Sequence, residues 1–126
     1  MIRPWTIIGV ADVANSFRWY QSLFGQKASS LAHDYFGQLV DSDGTVLLCL
    51  HKWGGHDHPT LVSPDLAEPG NGLLLFFRVD DFEQALERAR ALVLKLAEEP
   101  QVNPNTGTRE FALLDPDGYF VMISEL

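Results

Sequence analysis

Two apolar runs joined by Asp115-Pro116-Asp117-Gly118 stand out near the end of the chain, at residues 109–114 and 119–124. Proline presets the second position of a type I turn, and glycine takes the left-handed position that follows, so the pattern predicts a β-hairpin. Residues 36–50 repeat the layout around Asp41-Ser42-Asp43-Gly44, displaced by 74 residues. The chain is therefore predicted to contain one hairpin twice.

Apolar residues at helical spacing precede each hairpin. Gly25 follows the first stripe, where a C-terminal cap is expected, and Asp80-Asp81 precede the second. The pattern predicts helices beginning at Asp12 and after Asp81. Their apolar stripes are Val13, Phe17, Tyr20 and Phe24 in the first, and Phe82, Leu86, Ala89 and Val93 in the second.

Short apolar runs predict a strand before each helix, at residues 5–10 and 73–79, and weaker patterns predict strands at 28–33 and 98–102. The order strand, helix, three strands thus occurs twice. The predicted fold is an α+β domain over residues 1–126, made of two tandem βαβββ modules. Module one covers about residues 4–51, a linker rich in proline and glycine covers 52–72, and module two covers 73–126.

Composition narrows the class of protein. A net charge of −8 argues against a nucleic-acid surface, and no apolar run is long enough to span a bilayer. The single cysteine, Cys49, excludes a disulfide framework and fits a reducing compartment. The first five residues have no long apolar region behind their charge, so no secretory signal is expected. We expect a cytoplasmic protein that binds neither nucleic acid nor membrane.

Three separated motifs resemble the vicinal oxygen chelate superfamily, which includes glyoxalase I, extradiol dioxygenases, fosfomycin resistance enzymes and bleomycin resistance proteins. They are Val10-x-Asp12-x-x-x-Ser16-x-x-Trp19-Tyr20-x-x-x-Phe24-Gly25, Phe77-Arg78-Val79-Asp80-Asp81, and Arg109-Glu110-Phe111 before Asp115-Pro116-Asp117-Gly118. The resemblance covers essentially the whole chain. It implies a curved mixed sheet around a cleft, and a homodimer.

The resemblance also implies where metal-dependent members take their ligands, namely the first and last strand of each module. Those positions map onto Trp5, Leu48, Leu74 and Met122. None supplies the oxygen or imidazole nitrogen that a hard or borderline divalent ion prefers. We therefore expect neither a metal at this site nor another cofactor.

Alternation along the strands predicts which side chains share a face with these four positions. The predicted face is mostly apolar with a few polar groups, which is typical of a small-molecule pocket, although such a face also packs as core. Ala112 is predicted to lie opposite Met122. Trp53 is added because it follows the fourth strand. The predicted ligand-binding residues are Trp5, Ile7, Gln38, Leu48, Trp53, Leu74, Phe76, Arg78, Glu110, Phe120 and Met122.

The titratable residues leave alternatives open. Arg78 and Glu110 either contact a ligand or form a structural ion pair, and Glu110 and His33 are the candidates for proton transfer. His51, His56 and His58 are candidate ligands for zinc, copper or nickel. Their spacing matches no structural zinc pattern, so a polar loop is the alternative.

Two functions follow from the resemblance. In the first, the protein resembles the metal-free bleomycin resistance branch and sequesters a hydrophobic, aromatic or cationic small molecule, as antibiotic resistance proteins do. In the second, it is a metal-dependent lyase or dioxygenase whose ligands have moved to the histidines.

Overall fold

A computed structural model describes residues 1–55 and 58–126. Contacts divide the chain into two compact units. Unit 1 contains residues 1–21 and 27–69, and unit 2 contains residues 22–26 and 70–126.

Unit 1 holds a three-stranded sheet of β1 (Ile7–Val10), β2 (Phe36–Val40) and β3 (Val46–Lys52). The strand order is β1-β3-β2, in which β3 pairs parallel with β1 and antiparallel with β2. Asp12 caps the helix, since its Oδ1 accepts a hydrogen bond from the Asn15 amide at 3.0 Å. The last turn of that helix belongs to unit 2, where Gly25 follows it with a φ of 70°. The helix is α1 (Val13–Phe24), and a short 3₁₀ turn (Pro59–Leu61) follows β3.

The strand predicted at residues 28–33 is not formed, so this part of the prediction is wrong. The buried amide of Gln21 holds the segment instead. Its Nε2 donates to Ser29 Oγ at 2.9 Å and to the Lys27 carbonyl at 3.3 Å. The Gln21 side chain thus bonds to the Lys27 carbonyl, a backbone group that would pair with a neighbouring strand if this segment were part of a sheet.

Unit 2 holds a four-stranded sheet of β4 (Leu75–Val79), β5 (Glu98–Val102), β6 (Arg109–Leu114) and β7 (Phe120–Glu125), in the order β4-β7-β6-β5. Its helix is capped by Asp81, whose side chain accepts from the Gln84 amide at 3.1 Å. This helix is α2 (Phe82–Leu92). In the described residues, seven strands form two mixed sheets, and the chain also contains two α-helices. This confirms the predicted α+β fold.

Each sheet has a helix face and an opposite face, called here the distal face. In unit 1 a Cβ built on Gly37 would lie 3.5 Å from the Phe17 ring of α1, so Gly37, Leu39, Leu48, Leu50, Ile8 and Val10 form the helix face. In unit 2 the Phe82 ring of α2 contacts the Phe111 ring at 5.4 Å. Both helix faces are almost fully buried and supply most of the core.

No helix in the described part of the chain is long and apolar enough to cross a membrane.

Candidate functional site

The distal face of unit 2 carries the side chains predicted from alternation. Phe76, Met122 and Ala112 lie side by side across β4, β7 and β6, which confirms that Ala112 is opposite Met122. The next row along the strands contains Arg78, Ser124 and Glu110. Phe120 pairs with Leu114 at the turn end, and Leu74, half exposed, lies just before β4.

The distal face of unit 1 differs from the prediction at Leu48. Val40 pairs with Val46, but Leu39 pairs with Leu48, so Leu47 is an extra residue in β3. This β-bulge shifts the alternation by one residue. Leu48 therefore lies on the helix face and is fully buried, so its predicted face is wrong.

Cys49 takes the place on the distal face that alternation gave to Leu48. It lies between Ile7 on β1 and Gln38 on β2, which keep their predicted face. Burial raises the pKa of the Cys49 thiol, and the hydrogen bond from Gln38 Nε2, at 3.6 Å from Sγ, acts against that rise. The side chain is thus held as a neutral thiol beside an amide.

Trp53 lies against β1 at Gly9. A Cβ built on Gly9 would lie 2.6 Å from two atoms of the Trp53 indole, so only glycine lets the ring lie this close. In the adjacent row of the ladder, Gly9 pairs with His51 and His51 with Phe36. Trp53 is thus half-buried, with its ring covering part of the distal face of unit 1.

His51 is buried, and the structure brings the imidazole of His58, another of the predicted metal ligands, next to its ring. Its centroid lies 5.1 Å from that of His58 and 6.3 Å from that of Phe36. Its Nδ1 is 2.7 Å from the Lys52 carbonyl, and because a carbonyl only accepts, Nδ1 carries the hydrogen of this bond. His56, the third predicted ligand, lies outside the described residues.

Trp5 precedes β1 and is 57% exposed. It lines a pocket of about 560 Å³ in unit 1, together with Arg3, Pro4 and residues 43–46 of the β2–β3 turn. Asp43 in that turn accepts hydrogen bonds from Thr45, which lower the pKa of its carboxyl group. An exposed indole beside an arginine and a carboxylate is suited to stacking on a flat ligand.

Glu110 is the buried carboxylate of the distal face of unit 2, with 7% of its surface exposed. Asn103 Nδ2 lies 3.3 and 3.4 Å from its two carboxylate oxygens. No ion pair of the described residues includes Glu110, and the neighbouring Arg109 is paired with Glu83 and Glu125. Arg78, in the same row, is exposed and donates from Nε to the Glu125 carbonyl at 3.4 Å.

His33 is exposed and stacks on Tyr35, with ring centroids 3.9 Å apart. It lies in the segment before β2 and not on a strand, so it does not belong to the distal face of unit 1.

The side chains at the metal-ligand positions do not fit a divalent ion. Trp5 and Leu74 have no suitable donor, and Met122 supplies only a soft thioether. The bulge replaces Leu48 by Cys49, whose thiol is again a soft donor. Within residues 1–55 and 58–126, no group of three or more His, Cys, Asp or Glu residues is placed to hold a metal ion.

Sequence reasoning missed Cys49 and Asn103. Cys49 was hidden by the bulge, and Asn103 belongs to a turn-rich loop whose side-chain contacts have no sequence signal.

Comparison with solved structures gives the same fold at low sequence identity. A glyoxalase/bleomycin resistance protein from Catenulispora acidiphila is 21% identical with a TM-score of 0.66, and 100% of this chain and 99% of that chain are covered. A glyoxalase/bleomycin resistance protein/dioxygenase family enzyme from Burkholderia phytofirmans is 21% identical with a TM-score of 0.71, covering 96% and 95%. A lactoylglutathione lyase from Agrobacterium tumefaciens is 18% identical with a TM-score of 0.68, covering 99% and 92%.

Comparison with curated proteins gives no significant match. The model of the family described as glyoxalase/bleomycin resistance protein/dioxygenase superfamily matches residues 3–123. The chain belongs to the glyoxalase/bleomycin resistance protein/dioxygenase superfamily.

Proposed function

We propose that this protein binds a small molecule with an apolar body and a cationic group, without a bound metal ion and without converting it. The observation that carries the proposal is Glu110, a buried carboxylate on the distal face of unit 2, one row away from the apolar side chains of Phe76 and Met122.

The charge of the proposed ligand follows from the partners of Glu110. A buried carboxylate loses much of its hydration, and a cation or several hydrogen bonds must offset that cost. The contacts of the described residues supply one amide group, from Asn103, and no cation. A ligand ammonium group at Glu110 would supply the missing charge, and the net charge of −8 would attract it from a distance.

The apolar body of the ligand would lie on the next row of the same face. Phe76 is 44% exposed and Met122 is 9% exposed, and Leu114 further along β6 is 50% exposed. Rows on one face are about 7 Å apart along a strand, which is the reach of an arylalkylamine. Aromatic and thioether groups favour contact with a flat ring.

Metal independence is supported by the donor set. The positions that hold ligands in metal-dependent relatives carry an indole, a leucine, a thioether and a protonated thiol. We further propose that the protein acts as a homodimer that sequesters its ligand, in the manner of the bleomycin resistance branch. Light scattering in solution would test the dimer.

Calorimetric titration with three molecules of matched size would test the ligand class. We expect phenylethylamine to bind more tightly than phenylethanol, and phenylpropionate to bind weakest at this face. Glu110→Gln should weaken phenylethylamine by about tenfold, because a charged hydrogen bond contributes about 1.5–3 kcal/mol. Arg78→Gln is the matched control on the same row and should leave affinity unchanged or raise it. Equal affinities for the amine and the alcohol would refute the cationic preference.

Elemental analysis of protein purified without an affinity tag would test metal independence. We expect no stoichiometric Ni, Zn, Fe or Mn, and unchanged phenylethylamine binding after treatment with a chelator. One metal ion per chain, retained through gel filtration and required for binding, would contradict the proposal.

A further inference from the structure

Unit 1 contains a second pocket on the α1 side of its sheet, separate from the distal face. Its volume is about 440 Å³, and it lies between α1 and the segment before β2. Phe17 and Leu31 form its apolar part. Both side chains lie next to Gly37 on the helix face, where a Cβ built on Gly37 would be 2.8 Å from Leu31 and 3.5 Å from Phe17. The lining residues are Ala14, Phe17, Arg18, Ser29, Ser30, Leu31, His33 and Asp34.

Arg18 differs from the other arginines of the described residues. Arg90 and Arg109 form ion pairs, and Arg3, Arg78 and Arg88 donate to backbone carbonyls. Among residues 1–55 and 58–126, no hydrogen bond or ion pair involves the Arg18 side chain. The Arg18 guanidinium, with its five donors, thus lines the pocket without a hydrogen bond or ion pair to the other lining residues, Asp34 included.

The wall opposite α1 is held in place by the protein itself. Gln21, only 5% exposed, bonds to the Ser29 hydroxyl and to the Lys27 carbonyl, and its Oε1 accepts from the Ser29 amide at 3.4 Å. Leu31 is anchored against Gly37. A pocket with a fixed wall loses less conformational entropy when it binds a ligand.

We propose that this pocket is a binding site for a small monocarboxylate with an apolar tail. The planar guanidinium of Arg18 matches a carboxylate in a bidentate geometry, and the Ser30 hydroxyl is available as a further donor. The tail packs on Phe17 and Leu31. Asp34, which also lines the pocket, repels anions, so a dianion such as phosphate binds less well than a monocarboxylate.

Amide chemical-shift titration with hexanoate, hexanol and inorganic phosphate tests this site. Hexanoate should shift the amides of Ser29, Ser30, Leu31 and His33 in a saturable way, and hexanol and phosphate should bind about tenfold or more weakly, as expected when one charged contact is lost. Shifts confined to the distal faces, or no saturable shift with hexanoate, would overturn the proposal.

Three variants decide the role of Arg18. Arg18→Gln should weaken hexanoate by about tenfold, and Arg18→Lys should retain part of the affinity because the charge remains. Lys95→Gln is the matched control, since it removes one positive charge from an exposed position outside the pocket. Equal hexanoate affinity in Arg18→Gln and Lys95→Gln would refute the site. The readout does not depend on phenylethylamine binding, so this inference and the proposed function fail separately.

Discussion

The two hairpins of the molecule share a turn and differ in the strand that follows it. In the first, the Asp41 amide donates to the Thr45 carbonyl at 2.8 Å and Gly44 has a φ of 87°. In the second, the Asp115 amide donates to the Tyr119 carbonyl at 3.0 Å and Gly118 also has a φ of 87°. The backbone geometry is thus the same although the second position is serine in one turn and proline in the other.

The strands after these turns face the sheet differently because of a single residue. β7 continues without interruption, and Met122 reaches the distal face beside Phe76. β3 contains the extra residue Leu47, so Cys49 and not Leu48 lies beside Ile7. The offset between the two turns therefore predicts which face of the sheet a side chain lies on only as far as the bulge.

Deleting one residue from each strand would break this comparison most strongly. Without Leu47, β3 becomes a regular strand and Cys49 keeps its face, so we expect a folded protein. Without Val121, every later residue of β7 changes face, and Ser124 enters the fully buried position of Ile123. Circular dichroism and urea titration should show cooperative unfolding for the first deletion only. Cooperative unfolding of both variants would show that the bulge does not set the register.

Replacing Leu48 by alanine tests its position on the helix face. We expect a loss of about 2–5 kcal/mol in the free energy of unfolding, the usual cost of a cavity at a fully buried leucine. Leu47→Ala is the matched control and should cost far less, because that side chain is only partly buried. Guanidinium unfolding measures both. A mild Leu48→Ala variant that loses ligand affinity would place Leu48 on the distal face after all.

Much of the fold could be predicted because its signals are local. The turn residues 41–44 and 115–118 and the helical stripes predict both hairpins and both helices. The bulge could not be predicted, since residues 46–50 are apolar without alternation and mark no face. The false strand at 28–33 has a similar cause. The bond that holds this segment joins Gln21 to Ser29, eight residues apart, and no periodicity reports such a contact.

The first strands of the two sheets give a third contrast, between Gly9 and Arg78, which occupy the same place in the repeat. Gly9→Ala should cost about 1–3 kcal/mol, because the new methyl group would overlap the Trp53 ring. Arg78→Ala, at an exposed position, should cost under about 0.5 kcal/mol. Denaturant unfolding of a double-mutant cycle checks the cause. The cost of Gly9→Ala should largely disappear in a Trp53→Ala background, and an undiminished cost would mean that Trp53 is not the obstacle.

The ends of the two hairpins differ in charge and give the smallest expected effect. In β7, Glu125 accepts from the Arg109 amide at 2.6 Å and from the Arg109 side chain at 3.3 Å, and these bonds lower the pKa of the Glu125 carboxyl below its ordinary 4.5. At the end of β3, the backbone amide of Lys52 donates a hydrogen bond to the Tyr35 carbonyl at 2.9 Å.

A lowered pKa in the folded state means that the contribution of Glu125 is complete above pH 4.5 and is lost as the pH falls through the folded-state pKa. The difference in unfolding free energy between the native protein and Glu125→Gln should therefore be constant near neutral pH and shrink in acid. Glu87→Gln, on α2 and outside the ion pairs of the described residues, is the matched control for the loss of one carboxylate. Urea titrations over this pH range measure both differences. A Glu125→Gln difference that stays constant down to about pH 3 would show that uncharged contacts, rather than the carboxylate, hold the end of the second hairpin.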